Sequence, residues 1–231
     1  MSRPFRQAPL PSLLADPPAV LRVTLVFTLS LVGFGALGLP AAGTVAVAVS
    51  LGLLLWLRVR QAQPWSWLGL EAPSSIPRLA LHSALALILG WVAALAALVL
   101  ARQVFGWAPM DASRFADVQG NLVALAGMLA ISWSTAAFGE EVLFRGFLQQ
   151  RLREWFSALP AGGLLAVLVQ ALLFGLGHAY QGATGILVSA SIGLAFGLLR
   201  LRLRSVWPLV IAHGLIDTVS MLALYLGARP G

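Results

Sequence analysis

Residues 121–148 read NLVALAGMLAISWSTAAFGEEVLFRGFL, and this stretch decides the class of fold. It carries no charge from Asn121 to Gly139, then meets Glu140, Glu141 and Arg145. A hydrocarbon core needs about 20 apolar residues of helix. The first part of the stretch is such a helix, and the second part places charges where lipid should be. The whole chain agrees. It has 231 residues, of which 59% are hydrophobic and only 10% charged. Soluble domains have roughly 45–50% and about 25%. With a mean hydropathy of +0.89, most of this chain has lipid as its solvent. The expected fold is an all-α, polytopic integral membrane bundle.

Seven stretches qualify as transmembrane helices, near 20–39, 41–57, 79–100, 121–144, 161–179, 183–199 and 205–226. They predict a single transmembrane domain over 20–226, between an N-terminal tail at 1–19 and a C-terminal tail at 227–231. The first two spans meet tightly at Leu39-Pro40 and read as a helical hairpin. Span 20–39 is too long for a signal peptide and lacks a small-residue cleavage site, so it is expected to remain. Residues 63–77, QPWSWLGLEAPSSIP, read as a short interfacial turn.

All fifteen basic residues are arginine. Clustered on a water-facing surface they would suggest nucleic acid, but here they punctuate apolar runs, so no nucleic-acid partner is expected. With seven spans, Arg3, Arg6, Arg22, Arg58, Arg60, Arg78, Arg151, Arg153, Arg200, Arg202 and Arg204 fall on one side. Arg102, Arg114 and Arg229 fall on the other. The positive-inside rule then puts the N-terminus in the cytoplasm. Trp56, Trp65, Trp67, Trp107, Trp155 and Trp207 sit near predicted span ends, where indole rings favour the headgroup region. There is no cysteine, which excludes disulfides, thiol nucleophiles and thiolate metal sites. Gly185, Ser189, Gly193 and Gly197 recur every four residues and form one small-residue stripe. The preferred reading is tight packing within the monomer rather than a dimer interface.

Charged residues inside spans are functional candidates by default. Glu140, Glu141 and Asp217 are the intramembrane acids; His178 and His213 are intramembrane histidines. His82 stands alone near a span entrance and reads as interfacial. Glu141 and Arg145 are four apart, share a helix face and can neutralise each other. Glu140 points about 100° away and is not obliged to that pair. His213 and Asp217 are also four apart, so the carboxylate can orient the imidazole or help hold a shared ligand. Phe174 shares a face with His178 and can wall the site. Each pair alone could be structural; their collection on three of the last four spans points to a site.

These residues carry a resemblance. Glu-Glu-x-x-x-Arg at 140–145, Phe-x-x-x-His at 174–178 and His-x-x-x-Asp at 213–217 follow in order on successive apolar segments, and FRGFL accompanies the first. The set resembles the CPBP family, which includes type II CAAX prenyl endopeptidases and bacteriocin-processing or immunity proteins. The region of resemblance runs over about 121–226. It implies an intramembrane endopeptidase in which Glu140 is the catalytic carboxylate and His178 and His213 are the motif histidines. The last motif position is commonly asparagine in that family, and this chain has Asp217.

For peptide hydrolysis, Glu140 can act as general base and then general acid. His178 and His213 can hold the water or donate to the oxyanion. The same residues, with Asp217, offer a zinc alternative using Glu140, His178, His213 and Asp217 as ligands. No HExxH is present, and glutamate–water catalysis without a cofactor is the favoured reading. Depth raises a difficulty: at 1.5 Å per residue, straight helices would not bring Glu140, His178 and His213 to one level. Gly139, Gly175 and Gly177 are the expected places for distortion.

Three other readings compete. One is a non-catalytic binding or immunity protein, and another is a proton-coupled transporter. The third is a serine protease using Ser189 or Ser191 with His213, for which no GxSxG stands nearby. The expected partners are the lipid bilayer and a membrane-associated protein or peptide substrate. In a bacterium, the expected location is the inner membrane and the expected substrate a peptide precursor or sorting tag. Oligomeric state is not legible.

Overall fold

The computed structural model describes residues 17–36 and 42–228. The expected hairpin turn at Leu39-Pro40, residues 1–16 and 229–231 of the predicted tails, and with them Arg3, Arg6 and Arg229 of the arginine count, lie outside the described residues. Those residues contain helices and no strand. Helix α1 spans Pro17–Ala36, α2 Ala42–Arg60 and α3 Ile76–Val99, which runs on through a wider π turn, Leu100–Val104. Helix α4, Leu122–Ile131, passes into a π-helical segment, Ser132–Leu148, and then into α5, Gln149–Trp155. Helices α6, Gly162–Gly177, α7, Gly182–Arg200, and α8, Trp207–Tyr225, complete the bundle.

Each of the seven predicted spans overlaps one of these helices. Among the described residues, five stretches are long and apolar enough to cross a membrane: Ala42–Arg60, Ile76–Val104, Leu122–Trp155, Ala179–Arg200 and Trp207–Tyr225. Helix α6, with 16 residues, is shorter. The fourth span does not end near 144 as expected. It continues to Trp155 over 34 residues, because Arg145 is neutralised inside the bundle and does not mark an interface.

Local chemistry sets several boundaries. Asn121 Oδ1 accepts the Ala124 N–H at 3.1 Å and caps α4. Helices α3 and α8 carry proline in their first turn, where a missing N–H costs nothing. Helix α2 ends on Arg58 and Arg60, which complement the negative end of the helix dipole.

The bundle is apolar outside and polar at its centre. Leu29, Ile88, Leu95 and Val123 are exposed, whereas Glu141, Arg145, Gln149 and Gln170 are completely buried. Exposed aliphatic surface of this kind suits lipid. Helix α6 packs on α7; α3 packs on α7 and α8; the π segment packs on α2 and α8.

The small-residue stripe serves contacts within the monomer. Gln170 Nε2 donates to the Gly193 carbonyl and Gln149 Nε2 to the Gly197 carbonyl, each at 2.8 Å. A Cβ added to Gly193 would lie 3.2 Å from Ala171 Cα, and one added to Gly197 would lie 2.9 Å from Val167 Cγ1. Gly175, expected as a point of distortion, lies inside an unbroken α6 and lets α6 approach α7. Its added Cβ would lie 2.7 Å from both Ala190 Cβ and the Ile186 carbonyl oxygen. Gly139, by contrast, lies within the π-helical segment, as expected of a point of distortion, and also leaves room for Val47.

The 63–77 segment is more than an interfacial turn. Trp65–Leu68 forms a 3₁₀ turn that inserts Trp67 and Leu68 into the core. Trp67 packs edge-on against Phe147 at 5.2 Å, so it does not lie among headgroups as the sequence suggested. Trp56, Trp65 and Trp155 are half exposed, as expected of interfacial tryptophans.

Gly175→Ala should therefore destabilise the protein by about 1–3 kcal/mol, the usual cost of overpacking a closed contact. Thermal unfolding in detergent should show a lower midpoint. Gly43→Ala, with nothing within 4 Å of the added methyl, should leave it unchanged.

Candidate active site

Glu141 organises the centre of the bundle. Its carboxylate is fully buried, and Oε1 accepts two bonds: from Arg145 Nη1 at 2.8 Å and from His213 Nδ1 at 2.9 Å. The first bond is the expected i,i+4 pair. The second joins the π segment to α8 across 72 residues of sequence. The guanidinium of Arg145 lies over the ring of Phe174, 4.1 Å from its centroid, with Phe196 on another side at 5.7 Å. One carboxylate and two aromatic faces thus surround a buried cation whose Nε and Nη2 have no hydrogen-bond partner.

Both histidines are fixed through Nδ1. In His213 this nitrogen donates to Glu141. In His178, which caps the end of α6, it donates to the Phe174 carbonyl at 2.9 Å. Each ring therefore presents Nε2 to the site, as an acceptor when the ring is neutral. Phe174 stands between them, 4.8 Å from the His178 ring and 6.2 Å from that of His213. It walls the site as its shared face with His178 suggested.

Glu140 takes no part in the Glu141–Arg145 ion pair. Its Oε2 is buried and has no hydrogen-bond partner. It lies within electrostatic reach of His213, Glu141 and Arg145. An uncommitted carboxylate oxygen close to a histidine of fixed orientation can accept a proton from a polar ligand placed between them.

Asp217 differs from expectation. Its Oδ1 is 3.8 Å from His213 Nε2, too far for a hydrogen bond. Glu141, and not Asp217, orients the imidazole. The reason is geometric: i,i+4 spacing sets Asp217 on the Nε2 side of the ring, while the π segment delivers Glu141 to Nδ1. Asp217 lies beside Ser132 instead and remains within reach of both histidines.

The depth difficulty is resolved by two features. Helix α6 stops at Gly177, and His178 leaves it with φ −99° and ψ 17°, so its ring folds back onto Phe174. The helix carrying Glu140 is wound as a π-helix over seventeen residues, with i→i+5 bonds that alter its register against α8.

Several side chains around this centre were not singled out from sequence. Tyr180 stacks on His178 at 6.0 Å and lies under Arg114, 4.6 Å from the guanidinium. Trp133 Nε1 donates to Thr218 Oγ1 at 3.1 Å, and its ring fills the space over Gly214. Gln170, an amide inside an otherwise apolar span, was the one clear signal available among them.

Among the described residues, no three His, Asp or Glu side chains come together as a metal-holding group. Glu140, His178, His213 and Asp217 share a neighbourhood without forming a ligand set in this geometry.

Removing one partner of a buried ion pair strands the other, at a cost of about 3–5 kcal/mol. Glu141→Leu and Arg145→Met should each destabilise strongly. The double variant should be markedly more stable than the two losses added together. Unfolding in a graded denaturing detergent measures the coupling.

No curated protein and no solved structure matches the chain. The family model described as Type II CAAX prenyl endopeptidase Rce1-like matches residues 122–219. That segment runs from the first residue of α4 into α8 and holds all three motifs, so this part of the chain is similar to the Rce1-like family to which its motifs bear their resemblance.

Proposed function

We propose that this integral membrane protein is an intramembrane endopeptidase in which Glu140 activates water, with its protease core at about 121–226 of a single transmembrane domain. The observation that carries the reading is the buried, unpartnered Oε2 of Glu140 beside a histidine whose other nitrogen is anchored. In this mechanism Glu140 takes a proton from water as the oxygen attacks the scissile carbonyl carbon. His178 Nε2 accepts the water's second hydrogen and positions it. In its imidazolium form, His213 donates from Nε2 to the developing oxyanion. Glu140 then gives its proton to the leaving nitrogen as the C–N bond breaks, and the base is regenerated. Glu141 and Arg145 act as positioning residues by holding His213.

The substrate is a membrane-associated protein or peptide. The arginine distribution supports a cytoplasmic N-terminus, and in a bacterium the inner membrane is the site of action. Metal-free catalysis by Glu140 is the favoured chemistry; zinc held by the same residues is the alternative.

Purified protein in nanodiscs should cleave a library of membrane-tethered peptides. Glu140→Gln should lower the rate by about 10²–10⁴-fold, the usual contribution of a general base, with thermal unfolding unchanged. Asp217→Asn should retain activity, because His213 takes its orientation from Glu141. Activity that survives a chelator supports the glutamate mechanism. Activity lost to a chelator and restored by zinc would replace it with the metal mechanism. A folded wild type that cleaves no member of the library would favour the binding or immunity role.

A further inference from the structure

The arginine-rich end of the bundle contains a cavity of about 720 Å³, inside the range of about 300–1,000 Å³ typical of small-molecule sites. Arg151 and Arg153 of α5, Arg200 at the end of α7, and Arg202 and Arg204 of the following turn all line it. Only two carboxylates, Glu71 and Glu154, share the lining. Glu154 is already occupied: Oε2 pairs with Arg151 at 2.8 Å and Oε1 accepts from Gln150 at 3.2 Å.

Topology signals need only lie on one side of the membrane; they need not converge. Here they do, and with unsatisfied donors. Arg200 is 7% exposed, donates from Nη1 to the Leu203 carbonyl and leaves Nε without a partner. Arg151 likewise has a buried, unpartnered Nε. Arg153 lies close enough to Arg200 for the two cations to repel, opposed by the attraction of Glu71 for Arg200. Buried donors without acceptors and like charges held together both favour an anion between them. Guanidinium forks match phosphoryl oxygens in pairs.

The surroundings indicate the source of that phosphoryl group. Trp155, at the end of α5, and Trp65, beside the cavity-lining Pro64 and Ser66, are half exposed at this end of the bundle. This is the level of an aromatic belt, where lipid headgroups lie. Basic recesses between helix ends are suited to anionic headgroups. We propose that this arginine-lined cavity binds the headgroup phosphate of an anionic phospholipid. The proposal is independent of the catalytic reading.

The test uses the full chain in a neutral detergent, titrated with dioctanoyl phosphatidylglycerol, dioctanoyl phosphatidylcholine or inorganic phosphate while the unfolding midpoint is followed. Phosphatidylglycerol should raise the midpoint in a saturable way, as a ligand of the folded state does, and phosphatidylcholine should not. Arg153→Gln combined with Arg204→Gln should weaken the apparent affinity by about tenfold or more, the loss expected for charge-assisted bonds. Arg60→Gln, among the arginines of the same predicted side but outside the cavity, should not weaken it. Should the first pair fail to fold, Arg202→Gln with Arg204→Gln, both exposed, carries the test. Equal shifts from both lipids, or an equal effect of Arg60→Gln, would overturn the site. A full shift from inorganic phosphate alone would overturn the lipid source and make it a free-anion site.

Discussion

A single carboxylate oxygen, Glu141 Oε1, holds the centre of this protein together. It sits where a lone charge would be prohibitively costly, and it is stable there because two donors converge on it. Arg145 supplies the countercharge from the same helix, and His213 supplies a bond from α8. The bond to His213 commits Nδ1 of that ring as a donor and so frees Nε2. Phe174 then packs against Arg145 and both histidines. Removing Glu141 would release the imidazole and strand the guanidinium together.

That centre depends on how closely the last helices approach one another. Glycines on α6 and α7 remove side-chain bulk, and two buried glutamines donate across the resulting contacts to the carbonyls of α7. In lipid there is little hydrophobic drive between helices, so close packing and such bonds supply the association. The π winding of the segment before α5 is the second requirement. The segment carries two adjacent glutamates: Glu141 bonds Arg145 and His213 through Oε1, and the Oε2 of each glutamate is buried without a partner. Gly146, against which the Leu68 carbonyl packs so closely that a Cβ would lie 2.1 Å away, lets the Trp65–Leu68 turn close this end of the core.

The chain's arginines serve different ends according to burial. Arg145 is enclosed and paired. Arg58 stacks on Trp65, its guanidinium 3.6 Å from the ring centroid, at the end of α2. Arg151, Arg153, Arg200, Arg202 and Arg204 surround a cavity poor in acceptors. Counting arginines along the sequence treats these as one population. Their partners separate them.

Composition and spacing were enough to read an all-α membrane bundle, a helix at each of the seven apolar stretches, the Glu141–Arg145 pair and the three motifs, although only five stretches among the described residues are long and apolar enough to cross a membrane. Each depends on local rules: apolar length against bilayer thickness, or four-residue spacing on one helix face. Spacing brought Asp217 to 3.8 Å from His213 Nε2, but the hydrogen bond that orients the ring goes to Glu141. Local reading failed at Trp67, an indole near a span end that folds into the core, and at Gly175, which serves a contact rather than a break. The Glu141–His213 bond, the stacking of Tyr180 on His178 and the gathering of arginines around one cavity join residues far apart in sequence. Their positions follow from how whole helices pack and rotate. The sequence alone therefore determined the solvent of this protein and the chemical groups it carries into the membrane. Only the tertiary structure decided which group faces which, because hydrogen bonding is directional and a small rotation of a helix exchanges one partner for another.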